Sequence, residues 1–199
     1  MLTFAAAVFF LIITPGPGVL STAGVGAGFG AKAGTRYVAG LFIGTNLVCL
    51  GVVSGLTAAI LTDDRLRTIF FIASIGYLTY LAARVALAGS KIAFIERQSP
   101  PGIRGGIFLQ AVNPKAYAVN TSLFTGFQFL PENYPLEVAL KFVIVNAIWI
   151  PIHLAWLYAG ATLHRLNLSE AAHRRINYAM AASMLAVVAL AIVAGLRQQ

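Results

Sequence analysis

The stretch LIITPGPGVL, residues 11–20, places Pro15, Gly16, Pro17 and Gly18 inside a run from Leu2 to Gly30 that holds no charged side chain. Such a run is long enough to cross a hydrocarbon core about 30 Å thick, which takes roughly 20 apolar residues. Proline, however, removes a backbone donor and crowds the preceding turn, and lipid cannot satisfy the carbonyl left behind. An interruption of this kind survives only against protein or water. The stretch therefore predicts a discontinuous first helix whose break is buried.

Composition agrees with a membrane setting. Of 199 residues, 59% are hydrophobic and only 10% charged, with a mean hydropathy of +0.82; soluble domains carry about 25% charged residues. The formal charge of +8 falls between apolar runs, where Lys and Arg set orientation against a bilayer rather than hold nucleic acid. Cys49 is the one cysteine, which excludes a disulfide framework or a multi-cysteine metal site within the chain. Neither a metal nor a cofactor is expected. No basic region precedes the first apolar run, so that run is expected to be kept as a span rather than cleaved as a signal.

Six stretches are long enough to span: about 3–27, 37–61, 67–88, 105–130, 138–163 and 175–196. The expected fold is an all-α membrane protein, a single transmembrane domain over 1–199. A central cytoplasmic loop, 89–104, carries the Pro100-Pro101 pair and separates a first three-helix repeat, 1–88, from a second, 105–199. Three spans is an odd number, so the two repeats must insert with opposite topology. Lys32, Arg36, Arg84, Lys91, Arg97, Arg104, Arg165, Arg174 and Arg175 fall on one side; Arg65, Arg67, Lys141 and Arg197 fall on the other. The richer side is read as cytoplasmic, which places both termini outside.

A second interruption lies in the fourth span. QAVNPKAYAVN, residues 110–120, sets Asn113, Pro114 and Lys115 well inside an apolar segment. A lone Lys there must snorkel, pair or face water. Pro15 and Pro114 stand 99 residues apart, about half the chain. Paired interruptions in matching places of two halves point to a transporter's substrate site near the bilayer midplane. The blander alternative is a pair of packing kinks, with Thr14 bonding back to a carbonyl. LFIGTN at 41–46 beside KFVIVN at 141–146 matches Phe42 with Phe142 and Asn46 with Asn146, a second trace of duplication.

Other features are less specific. Gly40, Gly44, Gly51 and Gly55 fall within about 60° on one helical face, as close helix packing requires; glycine-rich faces also permit a homodimer. Asn46 and Asn146 either bond a neighbouring helix or line a pathway. His153 has no acidic neighbour in any span and reads as structural or as a proton carrier. Trp149 and Trp156 flank it on one face and pack internally or wall a cavity.

Taken together these segments resemble the LysE/RhtB family of amino-acid exporters. The resemblance rests on TPGPGVLSTAGVGAGFGAKAGTRYVAGLFIGTNL at 14–47, GYLTYLAAR at 76–84 and NPKA at 113–116, in matching order over most of the chain. It implies a six-helix secondary transporter of the inner membrane, exporting amino acids or close derivatives on the proton gradient. Two departures bear on cargo: Gly18 stands where the family often has Asn, and Asn120, Thr121 and Ser122 add polarity after NPKA.

The residues expected to hold the small-molecule cargo are Thr14, Pro15, Gly16, Pro17, Gly18, Asn46, Asn113, Pro114, Lys115 and Asn146. Its carboxylate would meet the broken backbone at 16–18 and Lys115; its amino group would meet carbonyls freed by the prolines and the amides of Asn46 and Asn146. All six acidic residues, Asp63, Asp64, Glu96, Glu132, Glu137 and Glu170, fall in loops or at helix ends. Proton coupling would then use Lys115, His153 or a helix-end carboxylate such as Glu137. The rivals are an exporter of inorganic ions on a related fold and, in a different class, an intramembrane hydrolase built on Ser21 or Ser54 with His153. Ligand clusters for a metal cargo and a third group to orient the His are both missing from the sequence, so no enzyme is expected.

Overall fold

A computed structural model describes residues 1–14, 16–56, 63–87, 99–165 and 169–196. Pro15 lies outside the described residues, as do Lys91, Glu96 and Arg97 of the central loop and Arg197 near the end. Seven helices and no strand occur among the described residues: α1 (Leu2–Ile13), α2 (Pro17–Val53), α3 (Asp64–Ala86), α4 (Ile103–Val112), α5 (Pro114–Gly126), α6 (Tyr134–Arg165) and α7 (Glu170–Leu196). Two segments, Pro17–Val53 and Tyr134–Leu163, are each long and apolar enough to cross a membrane.

The breaks fall where proline chemistry puts them. α1 ends at Ile13, and the Thr14 hydroxyl donates back to the Phe10 carbonyl at 2.6 Å. Helix restarts with Pro17 in its first turn, after Gly16 in extended conformation; proline suits that position because its missing N–H would be unpaired there anyway. The second break repeats the device. Asn113 is extended, as a residue before proline prefers, and Pro114 opens α5.

One boundary differs from the sequence expectation. The second part of the span expected over 3–27 and the span expected over 37–61 follow each other without a loop in α2, as two helical pieces that meet at a kink at Gly30, where φ is 77° and ψ is 175°. Only glycine enters that region without strain, so a one-residue corner does the work of a loop. α2 ends at Val53, followed by Ser54 and by Gly55 with φ of 77°. Gly55 thus stops the helix, and nothing lies within 4 Å of where its Cβ would be; it is not part of the packing face predicted for it.

α2 is the spine of the molecule, packed along α6 and α4, while α3 packs against α7. At two places these contacts bring backbone against backbone. A Cβ on Gly26 would stand 2.6 Å from the Leu157 carbonyl oxygen, and one on Gly160 would run into the backbone of Ala23. A Cβ on Gly106 would meet the Tyr37 carbonyl and stand 2.5 Å from the Leu41 nitrogen, and one on Gly40 would run into Ile103. Without a hydrophobic drive between helices in lipid, such small-residue contacts supply the packing that holds them together. A second apolar cluster, Phe4, Val8, Cys49, Leu123, Phe124 and Val145, ties the start of α1 to α2, α5 and α6.

Gly106→Ala is expected to lower the thermal unfolding midpoint of the detergent-solubilised protein, because overpacking a tight contact costs about 1–3 kcal/mol. Gly76→Ala, with nothing within 4 Å of the new methyl, should leave the midpoint unchanged or raise it. Equal midpoints for the two would contradict the close approach of α2 to α4.

Candidate functional site

The two breaks meet. Lys115, the second residue of α5, extends its ammonium to the carbonyl oxygen of Thr14, Nζ donating at 2.5 Å across 101 residues of sequence. Its side chain runs over Gly16, where a Cβ would stand 2.6 Å from Lys115 Cδ and 3.0 Å from Nζ. Gly16 is therefore the space that lets the lysine reach the first break.

Asn113 organises the second break. Its Oδ1 accepts from the Lys115 backbone N–H at 3.1 Å, capping α5, and its Nδ2 donates to Gln110 Oε1 at 2.8 Å. Gln110 in turn donates through Nε2 to the Thr45 hydroxyl on α2. The Ala111 carbonyl, one of those the break leaves exposed, accepts from the Tyr117 hydroxyl at 2.7 Å. The Ala111 carbonyl and the Lys115 N–H at the break thus find side-chain partners, as polar groups away from water require.

Beside the joined breaks lies a half-open cavity of about 60 Å³. Its lining combines polar residues, among them Thr14, Asn113, Lys115, His153, Thr45 and Gln110, with Gly16 and Gly18. Leu11, Ile12, Val119, Val145 and Trp149 add apolar surface. His153 is 3% exposed, with its ring stacked on Trp149 at 3.6 Å and 14°. Its Nδ1 lies 3.0 Å from the Trp149 carbonyl oxygen. Asn120 Oδ1 accepts from the Cys49 thiol at 3.1 Å.

Of the residues predicted for the cargo, Thr14, Gly16, Gly18, Asn113 and Lys115 line this cavity. Pro17 and Pro114 shape the breaks without lining it, and Pro15 is outside the described residues. Asn46 and Asn146 are placed elsewhere. They face each other and exchange amide hydrogen bonds, Nδ2 to Oδ1, at 3.1 and 2.9 Å; Asn46 Nδ2 also donates to the Phe42 carbonyl at 2.9 Å. This reciprocal pair joins α2 to α6. Gln110 and Thr45 were not anticipated. The available signal was spacing, since Gln110 precedes Asn113 by three residues and so shares its helical face.

A second polar group lies apart from the cavity. Glu137 and Lys141, one turn apart at the start of α6, form an ion pair at 2.8 Å with side chains 2% and 1% exposed. Glu137 Oε2 also accepts from the N–H groups of Phe129 at 2.9 Å and Leu130 at 2.5 Å, and Lys141 Nζ donates to the Phe124 carbonyl at 2.9 Å. The pair ties the end of α5 and the following turn to α6. Lys141 is accordingly not a free flanking charge.

Comparison with known proteins returns one family. The family model described as LysE type translocator matches residues 9–195. The chain is similar to the leucine efflux protein of Salmonella choleraesuis (strain SC-B67), 28% identical over 153 residues that cover 74% of this chain and 71% of the relative. It is also similar to the leucine efflux protein of Enterobacter sp. (strain 638), 28% identical over 130 residues, 63% of this chain and 62% of the relative. No solved structure gives a significant match.

Removing one partner of a buried ion pair strands the other charge, whereas removing both does not. Glu137→Gln and Lys141→Met should therefore each lower the thermal midpoint, and the double variant should be more stable than Glu137→Gln alone. Strict additivity in a double-mutant cycle would show that the two side chains do not interact.

Proposed function

The chain belongs to the LysE type translocator family, and from that premise we propose that it is a secondary transporter exporting amino acids or close derivatives across the inner membrane, coupled to the proton gradient. Six spans in two inverted three-helix repeats carry the cargo between them. In this reading α1 with the first part of α2 makes the first broken span, and α4 with α5 makes the fourth. The basic side faces the cytoplasm and both termini lie outside. Its members move solutes rather than convert them, so no chemical step is assigned.

The observation that carries this reading is the ammonium of Lys115 held at the Thr14 carbonyl. One backbone carbonyl does not neutralise an ammonium, which carries three donors. The remaining donors are free to take a carboxylate, and the first turn of α2 adds unpaired backbone N–H groups and the positive end of its dipole. The apolar surface of the cavity, with Leu11, Ile12, Val119 and Val145, suits an aliphatic side chain. Leucine, the cargo in the names of the similar proteins, has such a side chain and is the first probe to use. An inorganic ion would gain nothing from that surface.

Because Lys115 bridges the two breaks, a carboxylate on its remaining donors is held by α1 and α5 together, which couples occupancy to the movement of one repeat against the other.

Lys115→Met should cut leucine efflux from proteoliposomes at least about tenfold, the weight of a hydrogen bond to a charged group of about 1.5–3 kcal/mol. The protein should still insert and unfold cooperatively. Efflux at the wild-type rate would remove Lys115 from the site and with it the proposed carboxylate contact.

A further inference from the structure

A zwitterion anchored by its carboxylate still presents an ammonium, whose donors must be met by acceptors inside the membrane. Among the described residues no Asp or Glu lines the cavity. Most of the acceptors that do are already engaged. The Thr14 carbonyl takes Lys115 Nζ, Asn113 Oδ1 takes the Lys115 N–H, Gln110 Oε1 takes Asn113 Nδ2, the Thr45 oxygen takes Gln110, and Asn120 Oδ1 takes Cys49. Asn46 and Asn146 accept from each other.

His153 offers a side-chain acceptor that has no partner among the described residues. Its Nδ1 faces a carbonyl oxygen, which can only accept, so in the neutral ring Nδ1 carries the proton and Nε2 carries the lone pair. The stack on Trp149 and the burial of the ring fix its orientation. Nε2 points to the first turn of α2, where a Cβ on Gly18 would stand 3.4 Å from it, and no other group among the described residues bonds to it. Resting on the export reading above, we propose that Nε2 of His153 accepts the hydrogen bond of the cargo's amino group.

Lys115 Nζ stands over Gly16 and His153 Nε2 over Gly18, and both line the same cavity. A cation and a lone pair set beside residues only two apart in sequence suit a small ligand that carries a carboxylate and an amine on a single carbon. The missing side chain at Gly18 keeps the lone pair open to the cavity.

A proton on Nε2 removes the lone pair, so proton and amine exclude each other at this atom. The charged groups facing the ring are few. Lys115 comes from α5, and α2 presents the positive end of its dipole; α1 presents Leu11 and Ile12, α4 presents Gln110, and α6 itself presents Trp149. All the charge nearby is positive, which opposes adding a second cation unless a carboxylate accompanies it. That selects a zwitterion over a simple amine.

The test compares L-leucine with 4-methylpentanoate, the same skeleton without the amine, as ligands of the reconstituted full-length protein. The wild type should prefer leucine by about tenfold near pH 8, as one hydrogen bond to a charged group predicts. His153→Phe should bind both alike with 4-methylpentanoate affinity kept. His153→Gln, whose carbonyl reaches near the Nε2 position, should recover part of the preference. A wild-type preference surviving in His153→Phe would overturn the assignment. So would loss of both ligands in both variants, since His153 would then support the site as a whole. If the wild type binds neither compound, the export reading fails, and this assignment with it.

Discussion

A backbone carbonyl without a donor costs several kcal/mol in hydrocarbon, and this constraint governs the structure around residues 14–16 and 113–115. Neither break is self-sufficient. The first has no polar side chain that reaches across it, because Thr14 turns back to Phe10. The second supplies the missing donor, through Lys115 to the Thr14 carbonyl. Each break thus makes the other tolerable: the lysine needs a polar contact inside an apolar segment, and the carbonyl needs a donor. The polar lining of the cavity is the surplus of this arrangement, a cation with unused donors at a helix N-terminus.

The rest of the fold keeps those two places together. α2 carries the first break at its start and reaches the second through Thr45 and Gln110. Its bend at Gly30 and its backbone-close contacts at Gly26 with Leu157 and at Gly40 with Ile103 set it against α6 and α4. The reciprocal amide pair of Asn46 and Asn146 adds a polar tie between α2 and α6. At the start of α6, Glu137 and Lys141 hold the turn after α5. These polar contacts bind the helices to one another around the cavity.

The breaks themselves were legible, because Pro and Gly act on the chain locally and leave a trace in any sequence. Lys115 was legible as well, since a cation in an apolar run has so few places to go. The match of Asn46 with Asn146 at an offset of 100 pointed to two residues of equivalent rank, but sequence spacing does not say whether equivalent residues face a ligand or each other. Their closure as a pair is a tertiary fact. Gly30 was one glycine among many in GVGAGFGAKAG, and only the packing of α2 shows which of them turns the chain. Glu137 and Lys141 stood at helical spacing, yet their burial depends on Phe4 and Phe129 closing over Lys141 from distant segments. His153 was visible as an isolated titratable group; the direction of its lone pair required the Trp149 carbonyl.

The meeting of the two breaks is the claim on which the rest stands, and a proximity measurement in native membranes tests it. Cys49 is the only cysteine, so replacing it by Ser gives a clean background for the pair Thr14→Cys and Lys115→Cys, to be joined by a short thiol-specific cross-linker. The account predicts efficient intramolecular cross-linking of the two positions. Two cysteines that are each reactive but never joined would place the breaks apart and contradict it.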